Sequence, residues 1–285
     1  MIMATTHVDA HGDKMSLEAL QSMARQVKER YIPININHDI RYPPVGRIVS
    51  AEIIKLSDGE YALLGTAEVF DESDTLESLV GDGRRIKVID EDIETISVFY
   101  DRTFLHEREG EELIRELTKI SSEKPVVTFK KALEPISVLV IAAGVFILGS
   151  IAEGFFKKLG SDLYDKLRDT LTKYFKKKLP REQIIDFCFS VKYNERIFEV
   201  HILVDNPSEK ELNELFTFQF CGVDRLLTSL PLNKELDIAK LVLEYKNKKL
   251  SILYAVRSDC VPLSFKKLTN KMQLDAALLL NQIRV

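Results

Sequence analysis

Three short segments of the chain carry side chains that could act together in acyl transfer. Residues 36–39 read Ile-Asn-His-Asp, residues 96–99 read Ile-Ser-Val-Phe, and residues 133–138 read Leu-Glu-Pro-Ile-Ser-Val. A serine hydroxyl is a weak nucleophile that needs an adjacent base, and histidine is the natural base near neutral pH. A carboxylate on the other ring nitrogen fixes the tautomer of that histidine and stabilises the imidazolium. These residue types therefore predict hydrolysis through a serine, provided that the fold brings them together.

Each of these side chains also has a structural interpretation. His38 continues the alternation of the preceding isoleucines and could be a hydrogen-bonded core histidine. Ser97 could be an ordinary strand serine, and Glu134 a solvated carboxylate at a strand end. Asp39 is a rival orienting acid, although neighbouring residues of a strand point to opposite faces. Only the ordered combination of the three segments favours catalysis.

The elements that must position these residues begin with a helix and a strand. Ser16 is a suitable N-cap for a helix over 16–30, because its hydroxyl can accept a bond from the first turn. The alternation that follows predicts a strand over 32–38. Asp58-Gly59 is a strong turn signal, which predicts a hairpin of strands 47–56 and 60–70.

The rest of the first half contains shorter elements. The pattern predicts a short helix around 75–80, a strand over 93–104, an exposed charged helix or loop over 105–124, and strands over 126–129 and 136–141.

The middle of the chain combines an apolar run with a basic segment. Residues 136–152 carry no charged side chain, but a membrane-spanning helix needs about 20 apolar residues and the run begins like a β-branched strand. A helix is predicted from Ser161. Residues 157–178 hold eight basic and three acidic residues, so this helix could make weak contact with an anionic membrane.

Residues 181–285 predict a small α+β domain of unknown role, in the order ββαββα. Its predicted elements are strands 183–192 and 196–204, a helix over 208–229, strands 239–246 and 250–257, and a closing helix over 266–283.

The order and spacing of the three segments resemble the prohead (capsid-maturation) serine proteases of phages. The resemblance covers about residues 4–142 and includes Val45-Gly46-Arg47-Ile48 after the Asn-His-Asp stretch. It implies a β-rich prohead-protease-like domain with His38 as the general base, Ser97 as the nucleophile and Glu134 as the orienting acid. Val98 stands where the family has a small residue followed by Gly.

Composition and charge limit the partners, cofactors and cellular location that the sequence predicts. The net charge is −4, so no nucleic-acid partner is expected. Three widely spaced cysteines without a CxxC pair suggest neither a disulfide framework nor a zinc site, and His7, Asp9 and His11 form too small a set to predict one. No cofactor and no metal ion are expected. The N-terminus lacks the pattern of a secretory signal, which predicts a cytoplasmic protein.

The expected architecture is α+β: a prohead-protease-like domain over 1–142, a helical connector over 143–180 and the domain over 181–285. The first functional hypothesis is a serine endopeptidase that acts on a scaffold- or capsid-like protein of a phage or prophage, and that could process or assemble with copies of itself. The first alternative is an inactive, protease-like scaffold or binding module, which Val98 favours. The second alternative is a membrane-associated effector that acts through residues 141–178.

Overall fold

A computed structural model describes residues 1–8, 14–36, 39–71, 79, 81–88, 96–101, 108–121, 123–128, 136–176, 182–216, 220–230 and 237–263. The fold is mixed α+β and rich in strands. Its strands form one four-stranded sheet and one eight-stranded sheet.

The four-stranded sheet comes from the N-terminal part of the chain. Its elements are β1 (Ile2–Thr5), α1 (Leu17–Glu29), β2 (Ile32–Ile34), β3 (Gly46–Lys55) and β4 (Tyr61–Val69). The strand order is β1-β4-β3-β2, and every neighbouring pair is antiparallel. Ser16 Oγ accepts a hydrogen bond from the Ala19 amide at 3.2 Å. Both the capped helix and the hairpin of β3 and β4 are thus confirmed.

The strand predicted over 32–38 is wrong at Asn35 and Ile36. Val45 N, directly before β3, donates to the Ile34 carbonyl at 2.8 Å. Asn35 and Ile36 then leave the sheet, and Asp39 N donates to the Ile36 carbonyl at 3.0 Å in a turn. Alternation along a strand therefore says nothing about the direction of His38, which lies outside the described residues.

The eight-stranded sheet is formed by the rest of the chain. Its elements are β5 (Ser97–Asp101), α2 (Arg108–Thr118), β6 (Val126–Thr128), β7 (Ile136–Ile147), α3 (Ile151–Phe175), β8 (Glu182–Tyr193), β9 (Arg196–Asp205), α4 (Glu209–Glu214), α5 (Phe220–Ser229), β10 (Ile238–Lys246), β11 (Lys249–Arg257) and β12 (Pro262–Leu263). The order is β12-β11-β10-β9-β8-β7-β5-β6. Helix α3 joins the parallel pair β7 and β8, while α4 and α5 join the parallel pair β9 and β10.

Both faces of this sheet are covered. On one face, alternate side chains such as Phe187 and Phe189 pack with Leu167 of α3 and Leu117 of α2. On the opposite face, a second set packs against residues of the N-terminal half: Val138, Ile184, Leu203, Val242 and Tyr254 from the strands, with Tyr31, Ile40, Val49 and Ile86 over them. We call this second side the covered face. Because β8 and β9 are buried on both sides, they are apolar along most of their length.

The uncharged run at 136–152 forms the central strand β7 and the start of α3. Leu139 and Ile141 are fully buried in that strand, which extends beyond the predicted 136–141. Gly160 interrupts α3 with a positive φ of 72°, directly before the predicted helix start at Ser161. Within the described residues, no helix is long and apolar enough to cross a membrane.

Several other predicted elements differ from the structure. The charged segment 105–124 contains α2, which is not fully exposed, because Leu113, Ile114 and Leu117 form a buried stripe at helical spacing. The single helix predicted over 208–229 consists of α4 and α5. The helix predicted over 266–283 lies outside the described residues, as does most of the one around 75–80.

The eight-stranded sheet takes strands from both sides of the predicted connector. Strands β5 and β6 lie within 1–142, and β8 to β12 lie within 181–285. The described elements of the C-terminal part follow the order ββ, two helices, βββ, with the short β12 in addition to the predicted strands. The boundaries at 142 and 180 stay predictions.

Candidate functional site

Ser97 is the one member of the predicted catalytic set that the structure describes. It is the first residue of β5 and is 9% exposed. Its neighbours Ile96 and Val98 belong to the core on the helical side, so the alternation of the strand places Ser97 on the covered face. His38 and Glu134 lie outside the described residues, and their roles stay predictions.

A row of paired residues leads across the covered face from Ser97. Ser97 pairs with Ala142 of β7, Ala142 pairs with Cys188 of β8, and Cys188 pairs with His201 of β9. Strands lie about 4.8 Å apart, so the backbones of Ser97 and His201 are separated by about 14 Å. Within the described part of the chain, no histidine contacts Ser97.

His201 is the centre of a polar group that the sequence analysis did not identify. We call the five residues Asp186, Cys188, Glu199, His201 and Lys240 the His201 cluster. They occupy alternate positions of β8, β9 and β10, which places all five side chains on the covered face. The register puts Cys188 opposite His201 and Lys240 opposite Glu199, so that residues far apart in sequence become neighbours.

The imidazole of His201 is held on both nitrogens. Nδ1 lies 2.8 Å from Asp186 Oδ2. Nε2 lies 3.2 Å from Glu199 Oε2 and 3.8 Å from Cys188 Sγ. Lys240 Nζ lies 2.6 Å from the same Glu199 oxygen. Asp186, Cys188 and Glu199 are almost fully buried, whereas His201 and Lys240 are partly exposed.

In His201, Glu199 and Lys240, opposite charges outweigh the effect of burial on the pKa. Burial favours a neutral imidazole, but the charge of Asp186 raises the pKa of His201 well above its usual value. Burial also favours neutral Glu199, but its bonds to His201 and Lys240 lower its pKa to about 2. In Lys240, the charge of Glu199 overcomes burial and raises the pKa of the ammonium. Burial raises the pKa of the Cys188 thiol, which is therefore kept protonated in this state.

A cavity of about 70 Å³ adjoins His201 and Lys240. A water molecule needs about 10–15 Å³ of such space, so the cavity has room for several waters or a small chemical group. Its other lining residues come from two parts of the chain: Val242, Tyr254 and Val256 from the eight-stranded sheet, and Pro33, Asn35, Ile40, Pro44 and Ile86 from the N-terminal half. Among the described residues, Asn35 Oδ1 is a buried acceptor without a hydrogen-bond partner.

The N-terminal wall of the cavity is fixed to the eight-stranded sheet. The Tyr254 hydroxyl donates to the Ile40 carbonyl at 2.7 Å. Arg41 binds Asp39 through two nitrogens and also contacts Glu182 and Asp205, at the ends of β8 and β9. Asn35 and Ile40, which line the cavity, lie on either side of His38 in the sequence. Asn35 and Ile40 therefore border the cavity next to the His201 cluster.

The chain matches no protein-family model, no curated protein and no solved structure. The resemblance to prohead proteases therefore stays a prediction.

The sequence contained one signal for the His201 cluster. The segments Asp186-Phe187-Cys188 and Glu199-Val200-His201 place polar groups at alternate positions of strands that are otherwise apolar. Buried charged residues are rare unless they are paired. Their pairing depends on strand register across β8, β9 and β10, which the sequence did not provide. Of the set His7, Asp9 and His11, the structure describes only His7, whose Nε2 contacts Asp58 at 2.6 Å on the surface.

Proposed function

We propose that the chain is a serine endopeptidase of the prohead type, which hydrolyses a peptide bond of a protein substrate on the covered face. One observation supports this assignment above others. Ser97 lies on the covered face, and Ile40, two residues after His38, packs over that same face. The proposal expects His38 to reach Ser97 on this side of the eight-stranded sheet.

The proposed reaction uses the roles that the resemblance implies. His38 takes the proton of Ser97 Oγ as that oxygen attacks the scissile carbonyl carbon. The C–N bond then breaks, and His38 returns the proton to the leaving amine. In the second half of the reaction, His38 takes a proton from water as the water oxygen attacks the acyl-enzyme carbonyl. The bond to Ser97 Oγ then breaks, and His38 returns the proton to that oxygen, which restores Ser97. Glu134 orients the imidazole.

Val98 does not obstruct this face. Its side chain is 1% exposed and lies in the core on the helical side of the sheet. Val98 also pairs with Ile141 in the ladder between β5 and β7. The valine therefore restricts the backbone after Ser97, where the family has small residues, without filling the space above the hydroxyl.

A fluorophosphonate probe tests the nucleophile, because it forms a covalent adduct with an activated serine. The wild type and the Ser97→Ala variant are incubated with the probe and analysed by intact-mass spectrometry. We expect one adduct on the wild type and none on Ser97→Ala. The Ser190→Ala variant is the matched control, since Ser190 is another buried serine of the same face, and it should be labelled like the wild type.

The alternative function is a protease-like scaffold that binds a protein partner without cleaving it. One observation favours it: Val98 follows the serine, where the family has a small residue. A folded wild type that stays unlabelled at high probe concentration would support this alternative over the peptidase.

A further inference from the structure

We propose that Cys188, Glu199 and His201 bind a zinc ion, at a site that adjoins the cavity and keeps one coordination position open. The site lies outside the proposed Ser97 machinery, and its existence does not depend on peptidase activity.

Two of the separations between the three ligand atoms match those expected around one tetrahedral ion. One sulfur, one nitrogen and one oxygen lie within 4.8 Å of one another. Zinc bonds of about 2.3 Å to sulfur and about 2.0–2.2 Å to nitrogen and oxygen predict edges of about 3.6 Å between S and N, and about 3.4 Å between N and O. The observed edges are 3.8 Å from Cys188 Sγ to His201 Nε2 and 3.2 Å from Nε2 to Glu199 Oε2.

The orientation of the imidazole is already that of a metal ligand. Asp186 Oδ2 contacts Nδ1 at 2.8 Å, and this bond directs Nε2 toward Cys188 and Glu199. Histidine ligands of zinc typically donate their second N–H to a carboxylate in this way, which fixes the ring and increases its basicity. Asp186 is therefore a positioning residue for the site.

The side chains around the proposed site can balance the charge of a dication. Zinc takes the thiolate form of Cys188 and the free Nε2 lone pair of His201, so any proton on these two atoms is released to solvent on binding. The thiolate and the Glu199 carboxylate together then match the two positive charges of the ion. Lys240 stays beside Glu199 at 2.6 Å and offsets the charge of Asp186, so that no uncompensated charge is left in the sheet.

The identity and number of the ligands indicate which ion binds and what it leaves free. A thiolate with an imidazole favours zinc over magnesium or calcium, which prefer oxygen ligands. Three protein ligands are typical of a zinc site with an exchangeable fourth position, whereas closed structural sites use four. His201 and Lys240, the partner of Glu199, line the cavity of about 70 Å³, which has room for water beside the site.

Equilibrium dialysis against micromolar zinc at neutral pH, followed by elemental analysis of the protein, measures the stoichiometry. We expect one zinc per chain in the wild type. Cys188→Ala and Glu199→Gln should lower the affinity by about 100-fold, since each removes one of three ligands. Cys260→Ala is the matched control, because it removes another buried cysteine outside the site, and it should bind zinc like the wild type. Circular dichroism verifies that each variant is folded.

Cobalt(II) substitution of the wild type provides a test that does not depend on the stability of any variant. Bound cobalt should show the near-ultraviolet charge-transfer band of a cobalt–thiolate bond and the strong visible bands of four-coordination. Absence of stoichiometric zinc, bound cobalt without the thiolate band, or unchanged zinc affinity in folded Cys188→Ala would each overturn the proposal. Fluorophosphonate labelling of Ser97 is measured separately, so failure of the peptidase proposal leaves the zinc result intact.

Discussion

Arg41 Nη1 lies 3.1 Å from Asp205 Oδ2, where the segment over the cavity meets the end of β9. The same guanidinium holds Asp39, which is 7% exposed, and contacts Glu182 at the start of β8. One cation thus joins three carboxylates from segments that are far apart in the sequence. Without it, these carboxylates would repel one another and Asp39 would lose its charged partner.

We therefore expect Arg41→Met to lower the free energy of unfolding by about 2 kcal/mol, less than for a fully buried pair because the guanidinium is partly exposed. Urea denaturation measures the change, and amide exchange should increase in the segment 39–44. Arg25→Met is the matched control, because Arg25 is exposed on α1, and its effect should stay within about 0.5 kcal/mol. Equal stability of the two variants would show that the Arg41 network does not hold this segment.

Close packing of the backbone explains why the Gly-Arg motif has a glycine at position 46. A Cβ atom at this position would lie closer than van der Waals contact to the Glu68 carbonyl of β4, and 3.1 Å from Val69 Cα. Because both obstacles are backbone atoms, Gly46→Ala should force β3 and β4 apart and lower the free energy of unfolding by about 2–3 kcal/mol.

Gly65→Ala is the control for this prediction. There the added Cβ would meet Met3 Sδ at 2.5 Å, and a flexible methionine side chain can move aside. We expect a loss of about 1 kcal/mol or less for Gly65→Ala, measured by the same urea titration. A larger effect at Gly65 than at Gly46 would contradict the packing described for this hairpin.

Cys260 should react slowly with alkylating reagents in the native protein. It is fully buried, and burial raises the pKa of its thiol to about 12. The reactive thiolate is therefore scarce at pH 8, far below that pKa, and becomes common only on unfolding. Peptide mass spectrometry after iodoacetamide treatment, with and without guanidinium chloride, measures the protection. Native labelling of Cys260 as fast as in denaturant would contradict the burial of this residue.

Local sequence patterns predicted local structure well. Ser16 caps α1, and Asp58-Gly59 joins β3 to β4, because caps and turns depend on a few neighbouring residues. The apolar run of β7 was identified as a strand in its first third. The prediction carried the strand beyond Ile34, where the described chain leaves the sheet. The end of a strand depends on where its partner strand, here β3, begins, and local alternation does not show this.

Long-range pairing could not be predicted in the same way. Cys188 lies opposite His201 within the hairpin of β8 and β9, but the His201 cluster also requires Lys240 opposite Glu199, and two helices separate β9 from β10 in the sequence. The sequence showed polar residues at alternate positions of apolar strands, but not which strands were neighbours. The covering of the sheet by residues 39–49 is also a tertiary contact without a local signal.

The cleavage of a diverse peptide library tests the central claim, peptide hydrolysis through Ser97, most directly. Products are identified by mass spectrometry for the wild type, Ser97→Ala and Cys188→Ala. We expect the wild type to cleave at a defined sequence, Ser97→Ala to lose about 10³-fold or more of that rate, and Cys188→Ala to retain it. Cleavage that persists in Ser97→Ala, or no cleavage of any peptide by the folded wild type, would contradict the assignment of Ser97 as a peptidase nucleophile.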